Sequence, residues 1–302
     1  MAWGLEIAAD CVRLCRADLR RGRIHLRRAT ESPVPPGLVR ASVKDANISD
    51  PAALTKALRA LARRAGCRGW VRVALPDPVF ILRTIATDDL PADRAAARRF
   101  LCWQARDLLP FSAEQARLDF VKSGSGPDGR LRLTCLIANG RVLAEYERIL
   151  HDADLLPGAL DARSVALAQA ASGLLAFPSV GLLTADGARA TLLVLQDGRP
   201  RLWRILATDD GAGGNGVRLI REVADSLVYF QETENLPPLQ HFFVHGMGPR
   251  TAEIATGLTR WLELTVSVLD LSGAFTSGAG PRGLADELTR WGAAFGAAIR
   301  PW

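Results

Sequence analysis

Gly4-Leu5-Glu6-Ile7-Ala8-Ala9-Asp10-Cys11-Val12-Arg13-Leu14 lies in a longer run, Trp3 to Ala17, in which apolar residues alternate with others (Leu5, Ile7, Ala9, then Val12 and Leu14). A period of two marks a strand with one buried face. Arg23 to Arg28 alternates again, and the polar stretch Asp18-Leu19-Arg20-Arg21-Gly22 joins the two runs as a β-hairpin. The same opening returns after Pro178. Val180 to Leu183, Thr191 to Gln196 and Arg201 to Leu206 read as strands, with Asp197-Gly198 as the hairpin turn between the last two.

Helices and strands alternate after each hairpin. Asp50-Pro51 places an N-cap and a first-turn proline, Leu54, Leu58 and Leu61 recur at helical spacing, and Gly66 ends that helix. Val71 to Leu75 is a strand stopped by Pro76, and Phe80 to Ile85 is another. Pro91 to Leu109 has helical periodicity and is broken by Pro110. Leu118 to Lys122 pairs with Leu131 to Ala138, Arg141 to Asp152 is a helix, and Leu155-Leu156-Pro157 leads into an Ala-rich helix, Ser164 to Leu175. In the second half, Thr208 to Gly216 is Gly- and Asp-rich and predicted mobile. Val217 to Glu234 is a long helix, and Phe242 to His245 is a strand opening onto Gly246-Met247-Gly248. Thr251 to Leu262 (helix), Leu264 to Leu269 (strand) and Ala285 to Ile299 (helix) complete the chain. Two hairpin-led halves fit a duplicated α/β unit, of which the actin-like fold is the best-known case.

Composition sets the outer limits. The chain has 302 residues, 48% of them apolar, which suffices for a sizeable core. The formal net charge is +6, carried mostly by arginines that are spread along the sequence. The densest run, Arg13 to Arg28, is interrupted by Leu14, Leu19, Ile24 and Leu26 and reads as charged strand faces. No aromatic interleaving marks a base-stacking surface, so no nucleic-acid partner is expected. Cys11, Cys15, Cys67, Cys102 and Cys135 form no CxxC pair and no zinc spacing, and read as reduced thiols of a cytoplasmic protein. No signal peptide is visible, and the most apolar window, Val165 to Phe177, is too short to span a bilayer.

Three stretches resemble the PilM family of type IV pilus assembly proteins. The opening, Gly4 to Leu14, is similar to that family's first strand and phosphate-1 turn. Ala74-Leu75-Pro76, then Trp103 to Phe111 with its Pro110-Phe111, then Leu118-Asp119-Phe120, resemble its small inserted subdomain, a feature shared with the cell-division protein FtsA. Gly187 to Thr191 with Asp197-Gly198, then Glu222 within Ile220 to Gln231, then His245-Gly246-Met247-Gly248, resemble its phosphate-2 hairpin, following helix and adenosine-site glycines. The resemblance implies an α/β, actin-like (ribonuclease H-like duplicated) two-lobed fold with an inserted small α+β subdomain. The expected divisions are 1–73 and 155–178 for the first-lobe core, 74–154 for the insertion and 179–302 for the second lobe.

In function, the resemblance implies a cytoplasmic scaffold at the inner face of the inner membrane, in the platform for pilus assembly. Its partner would be a PilN-like N-terminal peptide, which would bring peripheral membrane association, and the basic surface would help hold the complex near an anionic leaflet. The peptide groove lies between the first-lobe core and the insertion, which points to Leu75, Phe80, Trp103, Leu109 and Phe111, although Trp103 and Phe111 also read as core of the small subdomain. Alternatives are the cytoplasmic L-type component of a type II secretion system, an active ATP-binding actin-like ATPase, and a basic membrane- or DNA-associated adaptor.

The family's cofactors are ATP and magnesium between the lobes, which implies Glu6, Asp10, Asp186, Gly187, Thr191, Glu222, Gly246 and Gly248 as the matching positions. Tight glycine turns let backbone N–H groups reach phosphates. Here Glu6, Ala8 and Asp10 replace the usual Asp, Gly and Ser, and Asp186 stands one residue late, which on a strand turns a side chain to the other face. Glu6, Asp10 and Asp186 therefore read as solvated turn carboxylates, and ATP binding is expected to be weakened or lost. His245 reads as structural, Cys11 as buried filler, and no nucleophile elbow is present, so the chain is not expected to be an enzyme.

Overall fold

The computed structural model describes residues 2–126, 128–208, 216–234, 237–275 and 285–300. The segment expected to be mobile falls, at 209–215, outside the described residues.

The opening run is two strands, β1 (Ala2–Ile7) and β2 (Cys11–Arg20), and not one. Ala8 N–H donates to the Cys11 carbonyl at 2.9 Å to close the turn between them. Ile7 pairs with Val12 and Leu5 with Leu14, so the inward pattern runs on through the turn. No Gly or Pro punctuates Ala8-Ala9-Asp10, which is why alternation alone conceals the reversal. β3 (Arg23–Pro33) completes the meander. Helix α1 (Pro51–Ala65) starts where Asp50 accepts from Ala53 N–H and stops at Gly66, whose φ of 69° is the left-handed cap that favours glycine. Leu54, Leu58 and Leu61 are fully buried, each contributing about 2 kcal/mol of apolar burial. β4 (Gly69–Leu75) follows, parallel to β1.

Next comes β5 (Phe80–Thr87), then α2 (Arg94–Gln104), shorter than its periodicity suggests. Asp93 caps its start, and after a 3-10 turn, Arg106–Leu108, residue Leu109 is extended, as a residue preceding proline must be. β6 (Ala116–Ser125) and β7 (Leu131–Asn139) pair as expected, giving a three-stranded antiparallel sheet ordered β5-β7-β6 with its own small core against α2. Helix α3 (Gly140–Asp152) returns to pack against α1 and β8 (Leu155–Ala162). β8 is a strand the sequence reading passes over. It contains Pro157 and lies at the sheet edge beside a bulge, a place where a strand tolerates proline. Helix α4 is short, Arg163–Ala170.

The second half repeats the plan. β9 (Ser179–Asp186), β10 (Arg189–Gln196) and β11 (Arg199–Ala207) form the meander, with Asp197 and Gly198 both at positive φ in the turn. Helix α5 (Val217–Glu234), β12 (His241–His245), α6 (Thr251–Leu262) and β13 (Val266–Val268) follow. The two main sheets are ordered β3-β2-β1-β4-β8 and β11-β10-β9-β12-β13, each with three antiparallel strands and then parallel ones. That is a duplicated unit.

The last helical segment is a 3-10 stretch, Ala285–Trp291, and then α7 (Gly292–Ile299). α7 lies against β1, β2, β4 and α4, on the first sheet, although 179–302 was expected to form the second lobe. The approach is close: a Cβ on Gly296 would stand 1.6 Å from the Ala166 carbonyl oxygen, and one on Gly4 would stand 2.1 Å from that of Ala294. One apolar core runs from the first sheet to Leu182, Leu193 and Trp203 of the second. Among the described residues, no helix is long and apolar enough to cross a membrane.

Candidate functional site: an interlobe cleft around a buried arginine

The strands β1, β4 and β8 all end at the cleft between the two main sheets. Glu6, near the end of β1, is completely buried rather than solvated. One of its oxygens accepts from Arg163 Nε at 2.8 Å, the other from Arg13 Nη1 at 3.2 Å. Arg163 opens α4 and reaches across the lobes: its Nη1 donates to the Ala185 carbonyl at 3.0 Å and to Thr184 Oγ1 at 3.3 Å, both on β9. Burial works against the arginine's charge, but Glu6 and then Asp186 more than offset it, so its proton is held above the usual range.

The network continues through His245. Its Nε2 lies 2.9 Å from the Thr289 carbonyl and therefore carries the proton, so Nδ1 accepts from Thr184 Oγ1 at 3.0 Å. Burial, aided by the Arg163 charge, pushes its pKa down to about 4. On the other flank, Asp77 holds the lobes together through two accepted bonds, from Ser164 N–H at 2.9 Å and from Thr191 Oγ1 at 2.6 Å. Ser164 Oγ in turn accepts from Trp203 Nε1 at 2.9 Å.

Arg163 and Asp186 form a wall shared by two cavities. One, of about 410 Å³, is lined by Asp10, Arg13, Gly187, His245, Gly246 and Gly248 among others. The other, of about 500 Å³, lies toward the 39–46 loop and Thr191. Asp186 therefore faces the cleft, with Thr184, while Ala185 is the residue turned into the α5–α6 core. This overturns the expectation that its late position aims it away. Its carboxylate accepts from Ala9 N–H at 3.4 Å across the lobes. Asp10 is exposed. Thr191 faces Asp77. Glu222 lies off both cavities, paired with Arg218 at 2.9 Å on α5. Gly246 is explained by packing, since a Cβ there would meet the Ala185 carbonyl at 2.8 Å, and Gly187 and Gly248 by φ values of 60° and 58°.

An actin-like fold implies a nucleotide with magnesium in this cleft. The smaller cavity falls within the roughly 300–1,000 Å³ of small-molecule sites, and Arg13, Arg163 and Arg290 on its lining would favour phosphate. Glu6 does not fit the metal. Both oxygens of Glu6 are committed to guanidinium groups, and a dication beside Arg163 would be repelled.

Of the expected peptide-groove residues, Leu75 and Phe80 are buried in the main core. Leu109 and Phe111 pack partly buried against the small core. Trp103, expected in that core, is 59% exposed, with Leu108 close behind at 54% and the Arg106 guanidinium 4.3 Å above the indole. Arg163 and Asp77 were missed. A lone arginine opening an Ala-rich helix is the signal that identified neither its depth nor its partner.

The paired meander-and-parallel sheets about a cleft make this an actin-like fold. Among solved structures, the chain is similar to the "PilM-PilN type IV pilus biogenesis complex", with a TM-score of 0.82, 21% identity and 99% of each chain covered. It is also similar to a Bacteroides thetaiotaomicron protein of unknown function with an actin-like ATPase fold (TM-score 0.51, 8% identity, 96% and 95% covered). The ethanolamine utilization protein EutJ from Carboxydothermus hydrogenoformans gives a TM-score of 0.51 at 12% identity, with 99% and 89% covered. No family model and no curated protein matches the chain.

Proposed function

We propose that this protein is a PilM-like scaffold of a type IV pilus assembly platform, that it binds the N-terminal peptide of a PilN-like partner, and that nucleotide binding is weakened. The observation that carries this reading is the likeness to the PilM–PilN structure over 99% of both chains, an extent that takes in the small three-stranded subdomain. The exposed Trp103 and Leu108 on that subdomain supply apolar anchors of the kind a peptide groove uses. The commitment of Glu6 to two arginines favours a scaffold over an ATPase. On this reading the protein works in the cytoplasm, at the inner face of the inner membrane, held there by its partner.

Isothermal titration with a synthetic PilN N-terminal peptide tests the proposal. Saturable binding that falls on Trp103→Ala supports it, and no binding by a folded protein refutes it. Titration with ATP and magnesium separates the second part: micromolar affinity would restore the nucleotide-binding reading.

A further inference from the structure

The positive charge that looks dispersed along the sequence is gathered by the fold. Residues 11–33 hold seven arginines against Asp18 and Glu31, and residues 51–68 hold five basic side chains and no acid. With a formal charge of +6 for the whole chain, everything else is net acidic. β1, β4 and β8 run parallel, so their first residues share one rim of the sheet. β2 runs against β1 and ends at that rim, β3 begins there, and the last turn of α1 delivers the chain to β4 at the same place. The cleft lies at the opposite rim.

The remote rim therefore brings together Arg20, Arg21, Arg23, Arg63 and Arg68, all exposed, while the Arg64 guanidinium turns the other way, to the Glu31 carbonyl. Three large apolar side chains lie along the same rim. Trp70 is 64% exposed, Leu19 48% and Leu156 38%, and Trp70 and Leu156 are direct partners across β4 and β8. The nearby acids are Asp18, Asp154 and the exposed Asp152 at the end of α3. Asp18 pairs with Arg20 at 2.6 Å, and Asp154 lies toward Arg59 at 3.7 Å, on the β8 side.

We propose that this rim docks directly on an anionic phospholipid bilayer. Guanidinium groups match phosphate oxygens in geometry as well as charge. Tryptophan settles at the headgroup level, where its ring is half in hydrocarbon and its N–H stays wet. Leu19, set among arginines at the hairpin tip, adds a small inserted apolar side chain. A nucleic acid would use the arginines but leave Leu19 and Leu156 facing water. With the rim on the membrane, the cleft and the Trp103 surface remain open to cytoplasmic partners. The proposal does not rest on the peptide reading, since it concerns a different face.

Flotation with phosphatidylcholine vesicles, with and without phosphatidylglycerol, tests it on the full chain with no peptide added. The protein is expected to float only with the anionic vesicles, and less as salt rises. Arg23→Glu/Arg68→Glu, which reverses charge on two segments that meet only in the fold, should weaken binding by at least about tenfold, given roughly fivefold per arginine. Trp70→Ala should weaken it several-fold. Urea midpoints keep a misfolded variant from being scored as loss of binding. Equal flotation with neutral vesicles, flotation with neither, no change in the charge-reversed variant, or tighter binding to DNA oligonucleotides than to vesicles at the same salt would each overturn the proposal.

Discussion

Arg163 Nε meets Glu6 Oε1 at 2.8 Å, with 8% of the arginine side chain and none of the glutamate exposed. The pair stands where β1 of one lobe faces β9 of the other. Arg163 then ties that lobe to β9 of the other through the Ala185 carbonyl and the Thr184 hydroxyl.

Arg163→Leu should cost about 3–5 kcal/mol, because it leaves Glu6 buried with less than its full charge compensation. Glu6→Leu added to it should recover part of that loss. Urea unfolding of both single variants and the double variant gives the comparison, and simple additivity of the two changes would refute a direct coupling.

His245 makes stability depend on pH. Its folded pKa, about 4, lies below its ordinary value of 6.5, so the unfolded chain binds the extra proton between those limits. Stability should be complete well above pH 6.5 and fall as pH drops toward 4, by about 3 kcal/mol at most. Asp161, raised to about 6 chiefly by burial, acts in the opposite sense: its native form takes up the proton first, and stability is gained as pH falls through that value. His245→Gln should flatten the acid loss, and Asp161→Asn should steepen it. Denaturation midpoints from pH 4 to pH 7 read both slopes.

Thr191→Val should destabilise by about 1–2 kcal/mol, since it removes a hydroxyl donor from buried Asp77. It should leave ATP titration unchanged. A selective loss of nucleotide binding at constant stability would return Thr191 to the role its place in the sequence suggested.

Within the expected peptide groove, two behaviours should separate. Leu75→Ala should cost about 2–5 kcal/mol through a core cavity. Trp103→Ala and Leu108→Ala should shift stability by less than about 0.5 kcal/mol, as exposed residues do, and weaken peptide binding instead. Thermal melts beside peptide titrations distinguish them.

The duplicated plan was legible because both halves open on alternating strands with strong turn signals, and because Asp50, Pro51 and Gly66 mark a helix by local chemistry alone. β8 and the Ala8–Asp10 turn were not, the first because Pro157 is admissible only at an edge that the sequence does not reveal, the second because its turn lacks Gly and Pro. At the cleft, order along the chain pointed to the turns that carry Asp10, Asp186 and the glycines, but the aim of Asp186 was misread because the strand parity was counted from Ala185. The depth of Glu6 did not, because its two partners come from positions 13 and 163, and the second depends on where β8 delivers α4. The arginine-rich rim was hidden for a related reason: the hairpin and α1 are separate in sequence and become neighbours only when β4 is laid beside β1.

Helix α7 lies on the sheet that Ala2 begins, pressed so tightly that Gly4 and Gly296 leave no space for a methyl group. During synthesis the earliest strand must therefore wait, one face uncovered, until residues 292–299 have left the ribosome. The first lobe is completed by a segment that follows the whole of the second sheet in the chain.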